Sequence, residues 1–137
     1  PHVTLLGELA GPADAALAAA GRVARALGRV EIVLVSASGD DRYFRAVALE
    51  ADASGSLLAA RRSARREFGV RGTDVFAPHL SLAYGRIPAG TRASLVRGAA
   101  DVLPLRFSAA SLEVVRTEGP PREWRLLSAI PLQPSRP

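Results

Sequence analysis

The chain has 137 residues, 48% hydrophobic and 23% charged, which fits one globular domain over residues 1–137 with enough length to bury a core. It lacks cysteine, which excludes a disulfide framework, a thiolate nucleophile and a cysteine metal cluster, and no apolar run nears the ~20 residues of a membrane span. The net charge is +5 and all 18 basic residues are arginine, which either draws phosphate groups to the surface or reflects the same compositional bias that makes alanine abundant.

In chain order, PHVTLLGEL (1–9) reads as a strand running into a turn at Gly11-Pro12. Asp14 is placed to cap a helix reaching Arg25 or Leu27, with Leu17, Ala20, Ala24 and Leu27 on one face and Gly28 as its stop. RVEIVLVSAS (29–38) is a β-branched strand, SGDDR (38–42) carries turn chemistry, and YFRAVALEA (43–51) is a second strand beside the first. Ser54 or Ser56 caps a helix through LLAARRSARREF, which Gly69 ends. A polar loop, VRGTDVFA, leads into PHLSLAYG (78–85), another strand. A short helix follows over about Thr91–Val102. LRFSAASLEVVRTEG and EWRLLSAIPL then form two long strands joined at Gly-Pro-Pro, and PSRP is a frayed tail. The order points to an α+β fold with largely antiparallel sheet. Pro1–Ala51 and Pro78–Leu132 each read strand, helix, two strands, a weak internal duplication with a Pro-His strand at each head.

Those heads hold both histidines of the chain. Side chains two apart on a strand share a face, so His2 lies beside Thr4 and His79 beside Ser81, with Val3, Leu5, Leu80 and Leu82 turned to the core. Proline suits the first strand position because it has no N–H to leave unpaired. An imidazole next to a hydroxyl, presented twice, fits a phosphodiester. One histidine takes a proton from water, the other protonates the departing oxygen, and the hydroxyls donate to the non-bridging oxygens as charge builds on them.

His2-Val3-Thr4-Leu5 and His79-Leu80-Ser81-Leu82 resemble the paired His-apolar-Ser/Thr-apolar motifs of the 2H phosphoesterase superfamily, and are most similar to its cyclic phosphodiesterase branch. DVFAPHLSLAYG, Tyr84 within it, and the Trp-containing strand EWRLLSAIPL strengthen the resemblance. It implies a bilobal, pseudo-twofold α+β fold of mostly antiparallel sheets flanked by helices, with both histidines in a central cleft and no metal or other cofactor. It implies a substrate that is a small nucleotide or an RNA terminus carrying a 2′,3′-cyclic phosphate, or ADP-ribose 1″,2″-cyclic phosphate, opened to a phosphomonoester by His2 and His79. His79 is then the group expected to activate water. A 2′-5′ RNA ligase-like or RNA end-processing enzyme and a non-catalytic nucleotide or RNA-end binder are the alternatives. The family pattern carries a strand and a helix before the first motif, and these are expected to be absent from the sequence as given. Methionine is absent as well, so the chain is expected to be a processed form or a fragment. A cytoplasmic monomer that does not engage membranes is the expected setting.

Around this pair, Tyr84 is expected to border the site by resemblance, although a regular strand would turn it off the His79 face. Arg45, read on a strand with Tyr43 and Val47, is a candidate phosphate contact. Tyr43, Phe44, Phe76 and Trp124 are either a stacking wall for a base or core aromatics. Arg61, Arg62, Arg65 and Arg66 read as a solvated helix face, with a landing strip for longer RNA as the sharper alternative. The acidic residues are dispersed with no D-x-D-x-D or H-x-x-x-H spacing, so a catalytic metal is not expected.

Overall fold

The computed structural model describes residues 1–134. Three of the four PSRP residues predicted as a tail therefore lie outside the described residues. The elements are α1 (Ala13–Ala26), β1 (Val30–Ser38), β2 (Val47–Ala51), α2 (Gly55–Glu67), β3 (His79–Ala83), α3 (Ala89–Ala100), β4 (Leu105–Ala109), β5 (Ser111–Arg116) and β6 (Arg125–Pro131). Two antiparallel sheets result, one of four strands in the order β3-β2-β1-β4 and a β5–β6 hairpin. The fold is α+β, as the sequence predicts.

α1 follows Pro12, whose preset φ suits a helix entry, and Asp14 sits in the first turn rather than at the cap, where its charge complements the helix N-terminus. α2 starts at Ser54, but the hydroxyl donates to Asp52 instead of capping the helix. Its stop is the one predicted. Gly69 takes φ +64, the Gly69 N–H reaches the Arg66 carbonyl at 3.2 Å, and the Val70 N–H reaches the Arg65 carbonyl at 2.9 Å. This pair of bonds is a Schellman closure, which a residue with a Cβ adopts only with strain.

The core lies between the helices and one face of the large sheet. Leu34, Val23 and Val47 are its largest fully buried side chains, and the remainder is rich in alanine. Ala24 of α1 and Ala60 of α2 join Val30, Ile32, Leu34, Leu49 and Ala51 of the sheet and Leu57 in one cluster. Small residues on the two helices let their backbones approach each other and the strands closely.

Three predicted strands take a different form. Only Val3 of residues 1–9 bridges another strand, antiparallel to Leu80. Tyr43–Arg45 is a turn of 3₁₀ helix, so β2 begins only at Val47. The long strand LRFSAASLEVVRTEG divides at Ala110: β4 pairs with β1, whereas β5 leaves that sheet to pair with β6. No proline or glycine marks the division, but the apolar–polar alternation changes phase there: Leu105, Phe107 and Ala109 are the apolar set of β4, and Leu112 and Val114 that of β5. A bulge also interrupts β3, where Val47 faces Ala83 and Ala48 faces Ser81, leaving Leu82 without a partner. Leu82, predicted to point inward, is consequently 49% exposed.

Candidate active site

The site follows from register. Leu80 pairs with Leu49 on the core face, so the neighbours His79 and Ser81 turn to the opposite face, the one free of helix α2. Val3 bridges Leu80 and packs against the core, as does Leu5. The same register carries His2 across from Ser81 and Thr4 across from His79. His2 and His79 are then diagonal neighbours on one face, a relation that in antiparallel pairs sets side chains about 7 Å apart. Their charges also act on each other. Partial burial of its ring lowers the His2 pKa from 6.5; the His79 imidazole pushes the same way, and Glu113 of β5 opposes them.

Each ring differs in what holds it. His79 Nδ1 lies 3.1 Å from the Ala77 carbonyl oxygen. A carbonyl only accepts, so Nδ1 carries the hydrogen and Nε2 keeps its lone pair. Ser81 Oγ donates to the Phe44 carbonyl at 3.0 Å, so this hydroxyl is already engaged and must turn to meet a ligand. Thr4 is exposed beside His2.

A carboxylate the sequence did not single out completes the face. Glu50 of β2 is the register partner of His79. It accepts from Ser38 Oγ and from the Arg45 guanidinium. Burial works to raise the Glu50 pKa, but the Ser38 and Arg45 hydrogen bonds, with the charges of Arg45 and His79, hold it below 4.5. Arg45, expected on a strand and free to meet phosphate, is instead on the 3₁₀ turn with its guanidinium tied to Glu50. Only the pairing of β2 with β3 brings Glu50 to His79, and nothing local in VALEA signals it.

Glu50→Gln tests that cluster. At pH 7 it leaves the Arg45 cation without its counter-charge and is expected to cost about 1–3 kcal/mol of stability. Glu50's folded pKa lies below its unfolded value, so its contribution is complete above pH 4.5 and lost as pH falls through the folded pKa. The difference between wild type and Glu50→Gln in thermal melts therefore narrows below pH 4.5.

The aromatic wall forms in part. Tyr84 lies beyond the Leu82 bulge, and its ring meets Phe44 edge-on at 5.3 Å between centroids. Tyr43 packs edge-on to Phe44 at 5.0 Å, and Trp124 stacks on Phe44 at 5.6 Å. Because the Phe44 carbonyl holds Ser81, this cluster adjoins the histidine face, and Tyr43 and Phe44 keep about half their surface open. Phe76 is not part of it, since its ring lies under the Arg61 guanidinium. Nor is the arginine run one solvated face. Arg61 and Arg65 turn in to Asp74, while Arg62 and Arg66 face solvent.

No group of three or more His, Cys, Asp or Glu among the described residues is arranged to hold a metal ion, and no helix there is long and apolar enough to cross a membrane. No curated protein matches the chain. The sequence profile of the 2′-5′ RNA ligase superfamily does, over residues 1–121, taking in both histidine strands and the sheet between them. With two His-apolar-hydroxyl-apolar motifs bridged at Val3 and Leu80 inside that span, the chain belongs to the 2′-5′ RNA ligase superfamily, the 2H phosphoesterases.

Proposed function

We propose that this protein opens a cyclic phosphodiester on a nucleotide or an RNA end, a 2′,3′-cyclic phosphate or ADP-ribose 1″,2″-cyclic phosphate, to a phosphomonoester without a metal ion. The observation that carries the reading is the Val3–Leu80 bridge, whose register sets the two histidine motifs side by side and supports His2, Thr4, His79 and Ser81 as one phosphate-binding group.

In the proposed reaction His79 Nε2 takes a proton from water as the water oxygen bonds to phosphorus. The bond from phosphorus to one ring oxygen breaks in line, and His2 delivers a proton to that oxygen. One water is consumed, and a phosphomonoester with a neighbouring hydroxyl is left. The Nδ1–H donated to Ala77 supports His79 as base, because it fixes the ring and leaves Nε2 as the acceptor. Thr4, and Ser81 once it turns from Phe44, donate to the non-bridging oxygens. The exposed faces of Tyr43 and Phe44 support a stacked base, worth about 1–3 kcal/mol of binding.

The test is turnover of a panel of 2′,3′-cyclic nucleotides, a short RNA with a cyclic end and ADP-ribose 1″,2″-cyclic phosphate, with and without EDTA. Hydrolysis to a monoester that EDTA leaves intact is expected. The kcat/KM profile should be a bell whose limbs belong to the histidine pair, with the His2 ionisation drawn below 6.5. No turnover of any member, or loss of turnover in EDTA, overturns the reading. Joining to an RNA 5′-hydroxyl in place of water moves it to a ligase.

A further inference from the structure

Arg61 of α2 is the one buried arginine among the described residues, at 8% exposure, an unusual place for a guanidinium. Its three contacts lie on both motif segments. Nη1 donates to the Leu5 carbonyl, Nη2 donates to the Asp74 carboxylate, and Cζ stands 4.9 Å above the centre of the Phe76 ring. Leu5 ends the first motif, three residues after His2. Asp74 and Phe76 belong to the segment that delivers the second motif, Phe76 three residues before His79.

We propose that Arg61 is a positioning residue: one guanidinium joins the backbone of the first histidine strand to the entry of the second and sets the separation of His2 and His79. The inference rests on the two-histidine reading above. The first strand needs such an anchor, because the Val3–Leu80 bridge is the single ladder contact that residues 1–9 make among the described residues. A strand held at one pair is free to pivot, and a second tie at Leu5 removes that freedom. Arginine suits the task because its planar fork presents fixed donors to the Leu5 carbonyl and the Asp74 carboxylate at once, while its flat face rests on an aromatic ring. Lysine keeps the charge but not the fork. Asp74 is 57% exposed, so its ion pair with Arg61 adds little stability by itself. What Asp74 supplies is orientation, and Arg65, which also reaches the Asp74 carboxylate and the Gly72 carbonyl, holds it for that purpose.

The test compares Arg61→Met, Arg61→Lys and Asp74→Asn with wild type, using Arg62→Met as the exposed-neighbour control. A misplacement of ~1 Å costs on the order of 10²-fold. Arg61→Met is therefore expected to lower kcat on a 2′,3′-cyclic nucleotide about 10–100-fold at a temperature where it is folded, with KM little changed. Arg61→Lys should fail to restore the rate, and Arg62→Met should leave it unaltered. The chain has only two histidines, so its imidazole NMR resonances report the pair directly. Both should move, with altered titration curves, in Arg61→Met and stay in place in Arg62→Met. If Arg61→Met does not fold, Arg61→Lys and Asp74→Asn give the same two readings. A folded Arg61 variant with wild-type kcat, or one with unmoved imidazole resonances, overturns the proposal. Absence of turnover in wild type overturns the catalytic reading instead, and the NMR comparison then still decides whether Arg61 positions the two rings.

Discussion

Replacing His79 by alanine is expected to lower the rate of cyclic phosphodiester opening by about 10²–10⁴-fold, with His2→Ala in the same range. The two losses should not add. In-line displacement needs one proton removed and one delivered in the same transition state, so once either ring is gone the other has little left to contribute, and the double variant should resemble the worse single one. Neither change should unfold the protein. His2 is exposed and His79 half-buried, both on the face turned from the core, and His79 gives up one hydrogen bond, to Ala77. That bond is worth about 0.5–1.5 kcal/mol, a few degrees in the thermal midpoint. Single-turnover rates with melting curves on the same samples check this, and near-wild-type turnover in either alanine variant would remove the two-histidine mechanism. His79→Gln is a useful companion: it can still donate to the Ala77 carbonyl but has no basic nitrogen, so retained structure with lost rate isolates proton transfer from ring placement.

The part of the site that was legible in the sequence is the part written in local period. His2/Thr4 and His79/Ser81 alternate with apolar residues, so their common face follows from strand geometry without knowledge of which strands pair. Glu50 was not legible, since its place beside His79 depends on the register of β2 against β3, and a Val-Ala-Leu-Glu-Ala strand reads the same in any register. Arg61 was illegible for a different reason. Ala-Arg-Arg occurs twice in ARRSARRE, and only the packing of α2 against residues 5 and 74–76 gives Arg61 its buried place. The bulge at Leu82 reversed one inward prediction and at the same time explains how Tyr84 reaches the aromatic cluster. At fold level, helices with glycine stops and β-branched strands were readable. The division of residues 105–116 between two sheets was missed although the alternation changes phase at Ala109-Ala110, because two adjacent alanines suit either face and disguise the slip.

Leu34→Ala is expected to produce the largest loss of stability, about 2–5 kcal/mol. Leu34 is fully buried in β1, where it pairs with Ala51 of β2 on one side and Leu105 of β4 on the other. Its neighbours are poorly placed to close the space. They include Ala24, Ala51 and Ala60, whose methyl groups have no rotamers with which to refill a cavity. For a chain of this length the change corresponds to a fall of about 10–20 °C in the thermal midpoint. It should reach the site through the sheet. The bulge immediately after Leu34 sets the pairing of Ser36 with Glu50, and Glu50 in turn faces His79. A β1 that settles toward the cavity therefore carries the Ser38–Glu50–Arg45 cluster with it. The expected signature is a steep loss of activity on warming, well below the wild-type midpoint, with near-normal kcat at low temperature where the sheet is intact. His79→Ala should show the reverse, a rate deficit at every temperature with a nearly unchanged midpoint. Measuring both variants across one temperature series separates the scaffold from the chemistry: if Leu34→Ala instead melts within about 3 °C of wild type, the alanine-lined interior repacks more readily than its side chains allow and the core described above is not the one that carries the fold.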